Sequence, residues 1–249
     1  MPFVMPARRA AVPEKRSAVA RPLALLLALA FAPAFALICA PAALRAQEAG
    51  APATADCPES ERPPVARVVP ARRALGEIRI DGVLEEPEWL APAGPALVQL
   101  EPRRGCTPTQ RTDWWVAYDD EALYIAARLW DDAADSIAGR LGRRDTGPAS
   151  DWLYLNLDTF NDDRTGYSFS VNPAGVIGDS YLYNEGASDP TWDPVWERAA
   201  RTDGQGWSVE IRIPFSQINF PDREEQVWGI NVSRRLLRRQ GRDDLAYRE

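Results

Sequence analysis

Carboxylates and aromatic rings are the side chains here with chemistry to offer, and imidazoles are not: the 249 residues include no histidine. That excludes His-based nucleophile triads and any zinc site that needs an imidazole. No glycine-rich phosphate loop leads from a strand into a helix. Acids are plentiful, among them Asp151, Asp158, Glu185, Asp189 and Asp193. Glycoside hydrolysis would need two of them facing each other across a cleft. Most stand in turn-rich segments, where acids serve solubility and turn chemistry. No catalytic residue is expected, and hydrolysis of a glycosidic bond would fall to an associated domain. Asp158, Asp162 and Asp163, with the Asn161 amide, are hard oxygen ligands close in sequence, as calcium prefers; the same stretch also reads as a solvated acidic turn. No cofactor is required, and structural calcium is the one ion the sequence would admit.

The rings and amides belong to elements with a two-residue period. From Glu77 onward, short alternating runs are separated by Gly, Pro, Asn and Asp. This predicts strands near 78–81, 96–100, 112–118, 123–130, 152–158, 167–172, 176–183, 196–202, 207–213 and 227–236. Single helical turns are expected around 86–90 and 136–141. So many short strands in about 175 residues make one all-β domain, a two-layer sandwich. The apolar faces are Leu123, Ile125, Ala127 and Leu129; Leu153, Leu155 and Leu157; Tyr167, Phe169 and Val171; Trp207, Val209, Ile211 and Ile213; and Trp228, Ile230 and Val232.

The opposite faces carry Trp152, Tyr154 and Asn156; Ser168, Ser170 and Asn172; Glu210 and Arg212; Asn231 and Ser233. On neighbouring strands these would build a polar sheet face with a few rings. Such a face suits a sugar, which stacks its apolar side on a ring and shares its hydroxyls with amides, hydroxyls and guanidinium groups. An ordinary solvated sheet face fits the same pattern. Trp192 and Trp196 lie in a Pro- and Asp-rich segment without alternation. Each is either an exposed platform or a staple holding the loop on the core. The candidate ligand-binding set is therefore Trp152, Tyr154, Asn156, Ser170, Asn172, Trp192, Trp196 and Arg212.

Compartment and partners follow from the N-terminus. A basic leader with Arg8, Arg9, Lys15, Arg16 and Arg21 precedes an apolar run from Leu23 to Ile38 and small residues up to Ala46. This is the order of a secretory signal peptide, with cleavage expected after Ala46. A retained N-terminal anchor is the alternative, although the run is short for a membrane-spanning helix. Residues 1–46 hold six basic side chains and one acid, so the remainder has 23 basic against 35 acidic residues, a net charge of −12. That balance repels phosphate backbones and excludes nucleic acid as a partner. Beyond the leader, Cys57 and Cys106 are the remaining thiols, either one disulfide or two buried free thiols. Residues 47–74 read as a flexible lead-in and 75–249 as the sandwich.

The motif order resembles a family. The sequence contains IDGVLEEPEW (80–89), YDDEALYIAARLWD (118–131) and DWLYLNLDTFNDDRTGYSFSVNPAG (151–175). It continues with WDPVW (192–196), GWSVEIRIPF (206–215) and WGINVSRR (228–235). Together these blocks resemble the family 9 carbohydrate-binding modules, in particular the branch that precedes an outer-membrane β-barrel domain in bacterial surface proteins. The resemblance covers about residues 75–249 and implies a jelly-roll-like β-sandwich and a glycan or oligosaccharide ligand. It also implies a place in the periplasm, outer membrane or cell surface, in carbohydrate breakdown or uptake, and a β-barrel domain following in a longer chain. Modules of this family hold a sugar between two tryptophans. The first would fall near Pro148 and the second at or beyond Glu249, so the sandwiching pair is not matched. A glutamate contact of the family would fall at Tyr154 and an arginine contact at Ser170. A structural or docking domain without sugar affinity is the alternative that these departures raise.

Overall fold

Every predicted core strand has one dry face, and two sheets bring those faces together. The structure is a computed structural model that describes residues 2–6, 57, 68–184, 186–239 and 241–244. The strands are β1 (Pro2–Pro6), β2 (Val69–Pro70), β3 (Arg72–Arg73), β4 (Val98–Glu101), β5 (Thr112–Tyr118), β6 (Ala122–Trp130) and β7 (Trp152–Asp158). They continue with β8 (Thr165–Val171), β9 (Ile177–Tyr183), β10 (Ala187–Asp189), β11 (Glu197–Asp203), β12 (Gly206–Pro214), β13 (Glu225–Leu236) and β14 (Gly241–Asp244). The larger sheet runs β10-β9-β8-β7-β13-β1-β2, with β14 joining β13 to β4. The smaller sheet runs β11-β12-β6-β5-β3.

The side chains of alternate residues meet between the layers in one cluster. Leu153, Leu155, Leu157, Phe169, Trp228, Ile230 and Val232 of the larger sheet join Trp114, Leu123, Ile125, Leu129, Trp207, Val209 and Ile211 of the smaller one. Trp114, Trp207 and Trp228 are fully buried, and each such side chain contributes roughly 2–3 kcal/mol by leaving water. The fold class expected from alternation, an all-β two-layer sandwich, is the one observed.

Several boundaries differ from the pattern. Residues 78–81 form no strand, because this segment lies across the smaller sheet instead of hydrogen-bonding into it. Ile78 and Trp89 pack there on Ala117, Ala122, Tyr124 and Ala126 in a second apolar cluster. The single turn expected at 86–90 is present as a hydrogen-bonded turn, Trp89 N–H to Glu86 O (2.9 Å), and the second forms earlier than expected, as a 3-10 turn at Ala134–Ser136. Strands β2 and β3 start the sandwich before residue 75, so the lead-in is shorter than its composition suggested. Their two-residue length leaves no alternation to detect. The apolar stretch 23–38 lies outside the described residues. Strand β1 falls within the expected leader and pairs antiparallel with Glu225–Gly229 of β13 and parallel with β2. Cys57 and Cys106 form a disulfide 49 residues apart in sequence, tying the segment before β2 to the β4–β5 connection.

Candidate functional site

The outer faces of the two sheets have different fates. On the smaller sheet the face is covered. Glu210 of β12 is fully buried beneath the 74–91 segment. Its Oε2 accepts hydrogen bonds from the backbone N–H groups of Asp81 (3.0 Å) and Gly82 (2.8 Å), and its Oε1 accepts one from Trp89 Nε1 (2.9 Å). Ser208, two residues earlier on the same strand, donates to Gly82 O. Gly82 sits at φ +82°, the left-handed conformation expected for the Asp81-Gly82 turn. Burial pushes the Glu210 carboxyl up to about 7 against the pull of its three donors.

On the larger sheet the outer face is open and polar. Strand register places Asn231 beside Asn156, Asn156 beside Ser168, and Ser168 beside Ser180. Four strands thus contribute one small neutral polar group each to a line about 14 Å long. None of these four side chains makes a hydrogen bond to another described residue. In the next line Ser233, Tyr154, Ser170 and Gly178 are neighbours. Tyr154 is half-buried and stacks on Trp152 at 6.1 Å with a 29° interplanar angle. Trp152 itself is buried and donates through Nε1 to Pro148 O (3.1 Å). A cleft of about 230 Å³ lies beside them, lined by Trp152, Tyr154, Ser168, Ser170 and Ser180 among others.

The candidates read from sequence divide accordingly. Trp152, Tyr154, Asn156 and Ser170 come together on this face. Asn172 shares it by parity but is wholly buried and spent on the chain. Its Nδ2 donates to Arg140 O and Ser150 Oγ, while its Oδ1 accepts from Ala174 and Val176 N–H. Arg212 does not share the face. It projects from β12 of the other sheet, where it bonds Tyr124 Oη (3.2 Å) and Glu197 (3.0 Å). Parity sorts residues within a strand but cannot say which sheet the strand joins. Trp196 is buried rather than a platform: it meets Phe169 edge-on at 5.3 Å and donates to Asp179 Oδ2 (3.2 Å). Trp192 is half-buried against Tyr167 (4.8 Å) and Phe169 (5.6 Å), so both tryptophans staple their loop to the core.

The acids are committed to structure. Arg144 forks onto Asp179 (2.9 and 2.8 Å), pairs with Asp193 and donates to Pro194 O, which locks the 190–196 loop. Burial raises the Asp179 carboxyl above its ordinary value although Arg144 opposes the shift. Asp151 is buried, is raised by that burial, and accepts from Leu237 N–H. Asp189 accepts from the Thr191 hydroxyl and N–H, which hold it below its ordinary value. Glu185 lies outside the described residues. Asp158 Oδ2 takes the Asp163 N–H, and Asp162 Oδ1 takes those of Arg164 and Thr165. Asp158, Asp162 and Asp163 therefore organise a hairpin. Among the described residues no three acids, cysteines or histidines are grouped to hold a metal ion.

Pattern reading missed one cluster. Arg234 follows Trp228, Ile230 and Val232 on the inner parity of β13 and is fully buried. Its guanidinium donates to Arg111 O (3.1 Å) and Thr112 Oγ1 (3.2 Å) and lies 3.6 Å from Asp131. Arg238 grips Asp131 through two 2.6 Å hydrogen bonds. Burial alone would raise the Asp131 carboxyl, but Arg238 and the Ala133 N–H bring it below its ordinary value. The inward position was legible; a cation there was not expected.

This two-sheet architecture is that of the family 9 carbohydrate-binding modules. A family 9 module from Caldicellulosiruptor kristjanssonii, solved in complex with glucose, superposes with a TM-score of 0.50 at 16% identity, covering 70% of this chain and 85% of the module. The same module in complex with cellotriose gives 0.50 at 16% identity over 70% and 82%. A Bacteroides uniformis protein of inferred carbohydrate-binding role gives 0.51 at 11% identity over 70% and 86%. No protein-family model and no curated protein matches the sequence.

Proposed function

We propose that the chain is a non-catalytic carbohydrate-binding module of an exported protein, with its ligand on the outer face of the larger sheet. The observation that carries this reading is the uncommitted line Asn231–Asn156–Ser168–Ser180 beside the half-buried Tyr154 ring. Amides and hydroxyls both donate and accept, as sugar hydroxyls do, and Tyr154 offers a flat apolar surface for the sugar's C–H face. Nucleic acid is disfavoured by the acidic balance. The neighbours' bound sugars, glucose and cellotriose, fit the same chemistry. The leader supports export to the periplasm, outer membrane or cell surface, where the module would serve carbohydrate breakdown or uptake, ahead of a β-barrel domain in a longer chain.

A docking domain without sugar affinity is the second reading, favoured by the use of Trp192 and Trp196 as core staples. A glycan array followed by titration of Tyr154→Ala separates the two. Sugar binding should weaken about tenfold or more, the ~1–3 kcal/mol of a stacking ring, with little change in stability. An array on which the wild-type chain retains no glycan would overturn the module reading.

A further inference from the structure

One step beyond the amide and hydroxyl line, away from Tyr154, the outer face of the larger sheet drops into a second cleft. Here Gly229 pairs with Asp158 and Gly166 with Leu182. Backbone contact requires glycine at 166, and the space at 229 is tight. A Cβ at Gly166 would come within 2.7 Å of Leu157 O, and one at Gly229 within 3.0 Å of Asp158 Cβ. The missing side chains also leave a depression. Its cleft measures about 470 Å³, larger than the one beside Tyr154, and includes Asn156, Asn231, Asp158 and Leu182 in its lining. Glycine inside a strand often marks such a close approach by a ligand or by another backbone.

The chemistry of this depression is that of a hydroxyl-rich ligand. The amides of Asn156 and Asn231 are uncommitted. Asn231 Oδ1 and Asp158 Oδ1 are buried without a hydrogen-bond partner, a state that leaves each oxygen in need of a donor. Both residues line the cleft, with these two oxygens just beneath its surface. Leu182 supplies apolar surface, and the lining sets the carboxylates of Asp158 and Asp163 against the one guanidinium of Arg164, a net negative charge that disfavours acidic sugars. The two clefts meet along the line of amides and hydroxyls: Asn156 and Asn231 belong to one, Ser168 and Ser180 to the other.

We infer that the Gly166–Gly229 depression is a second saccharide subsite, so that the module holds an extended neutral oligosaccharide along the β7 direction rather than a single sugar residue. This rests on the sugar-binding reading and deepens it. The test is calorimetric titration of the wild-type chain, the double variant Asn156→Ala/Asn231→Ala, and Tyr154→Ala. Each is titrated with glucose, xylose and mannose, and with cello-, xylo- and manno-oligosaccharides of two to six residues. Wild-type affinity should rise from monosaccharide to oligosaccharide. The double variant should lose about tenfold more in oligosaccharide affinity than in monosaccharide affinity, and Tyr154→Ala should weaken both alike. Neither asparagine side chain supports the fold by a hydrogen bond, so the melting temperature should hold; Asp158→Asn serves as a second variant if it does not. Affinity independent of chain length, or a double variant and Asp158→Asn that both bind like wild type while Tyr154→Ala fails, overturns the second subsite and leaves the module reading intact. Loss of binding on chelation would mean that the acids hold an ion instead and also overturns it. If none of these saccharides binds the wild-type chain, both readings fall.

Discussion

Replacing Glu210 by glutamine should produce a stability change whose size depends on pH. The carboxylate is fully buried and accepts three hydrogen bonds, two at Oε2 and one at Oε1. Glutamine has one acceptor oxygen. If it serves Asp81 and Gly82, its amide N–H₂ faces the Trp89 indole N–H and leaves a buried donor unpaired. That costs about 1–3 kcal/mol. The second contribution comes from titration. Burial lifts Glu210 from 4.5 to about 7, and each pH unit of such a shift corresponds to about 1.4 kcal/mol. A raised folded-state value means that the contribution is fully present below the unfolded value and is lost as pH climbs toward 7. Wild type should therefore lose about 3 kcal/mol between pH 4.5 and pH 8 that Glu210→Gln does not lose. The variant is expected to be less stable than wild type near pH 5 and equal or more stable near pH 8. Urea unfolding across this range measures the difference directly. In thermal scans each kcal/mol should appear as roughly 2–4 °C. A wild-type-to-variant gap that stays constant from pH 5 to pH 8 would show that Glu210 is ionised throughout and that its donors outweigh burial.

Other expectations follow from the same contacts. Arg144→Ala strands the buried Asp179 carboxylate and frees the 190–196 loop; urea unfolding should show a loss of about 3 kcal/mol at pH 7. The loss should shrink as the pH is lowered, because burial raises the Asp179 carboxyl and it takes up a proton sooner than an exposed aspartate. Reducing Cys57–Cys106 releases a long loop and should destabilise the fold by about 4 kcal/mol, and non-reducing peptide mapping should find the two joined. Exported material should begin near Gln47 by N-terminal sequencing. Its Glu225–Gly229 backbone, having lost β1, should exchange hydrogen faster than in the uncleaved chain.

Strands 112–118 and 152–158 were legible in the sequence to the residue because each has an uninterrupted dry face. The sugar-compatible face was legible in part for the same reason. Tyr154, Asn156 and Ser170 share a parity that local alternation reports. Arg212 has a matching parity and stands on the other sheet, since sheet membership is set by long-range pairing that leaves no local trace. The stapling role of Trp192 and Trp196 depends on Tyr167 and Phe169, which lie more than twenty residues away, and a Pro-rich loop has no period to show which way a ring points. Asp158 and Asp162 read as calcium ligands beside Asp163, and the fold adds what spacing does not show: one oxygen of each accepts backbone N–H groups of the hairpin. The Gly166–Gly229 depression needs β8, β7 and β13 in register before it exists, and Gly166 falls just before the 167–172 run that alternation marks as a strand.

Co-crystallising the chain with the tightest-binding saccharide from the array would show the sugar in place. The sugar should lie on the outer face of the larger sheet, its ring over Tyr154 and its hydroxyls bonded to the side chains of Asn156, Ser168, Ser180 and Asn231. A sugar held by the Trp192–Trp196 loop or beside Arg212 on the smaller sheet would contradict that placement.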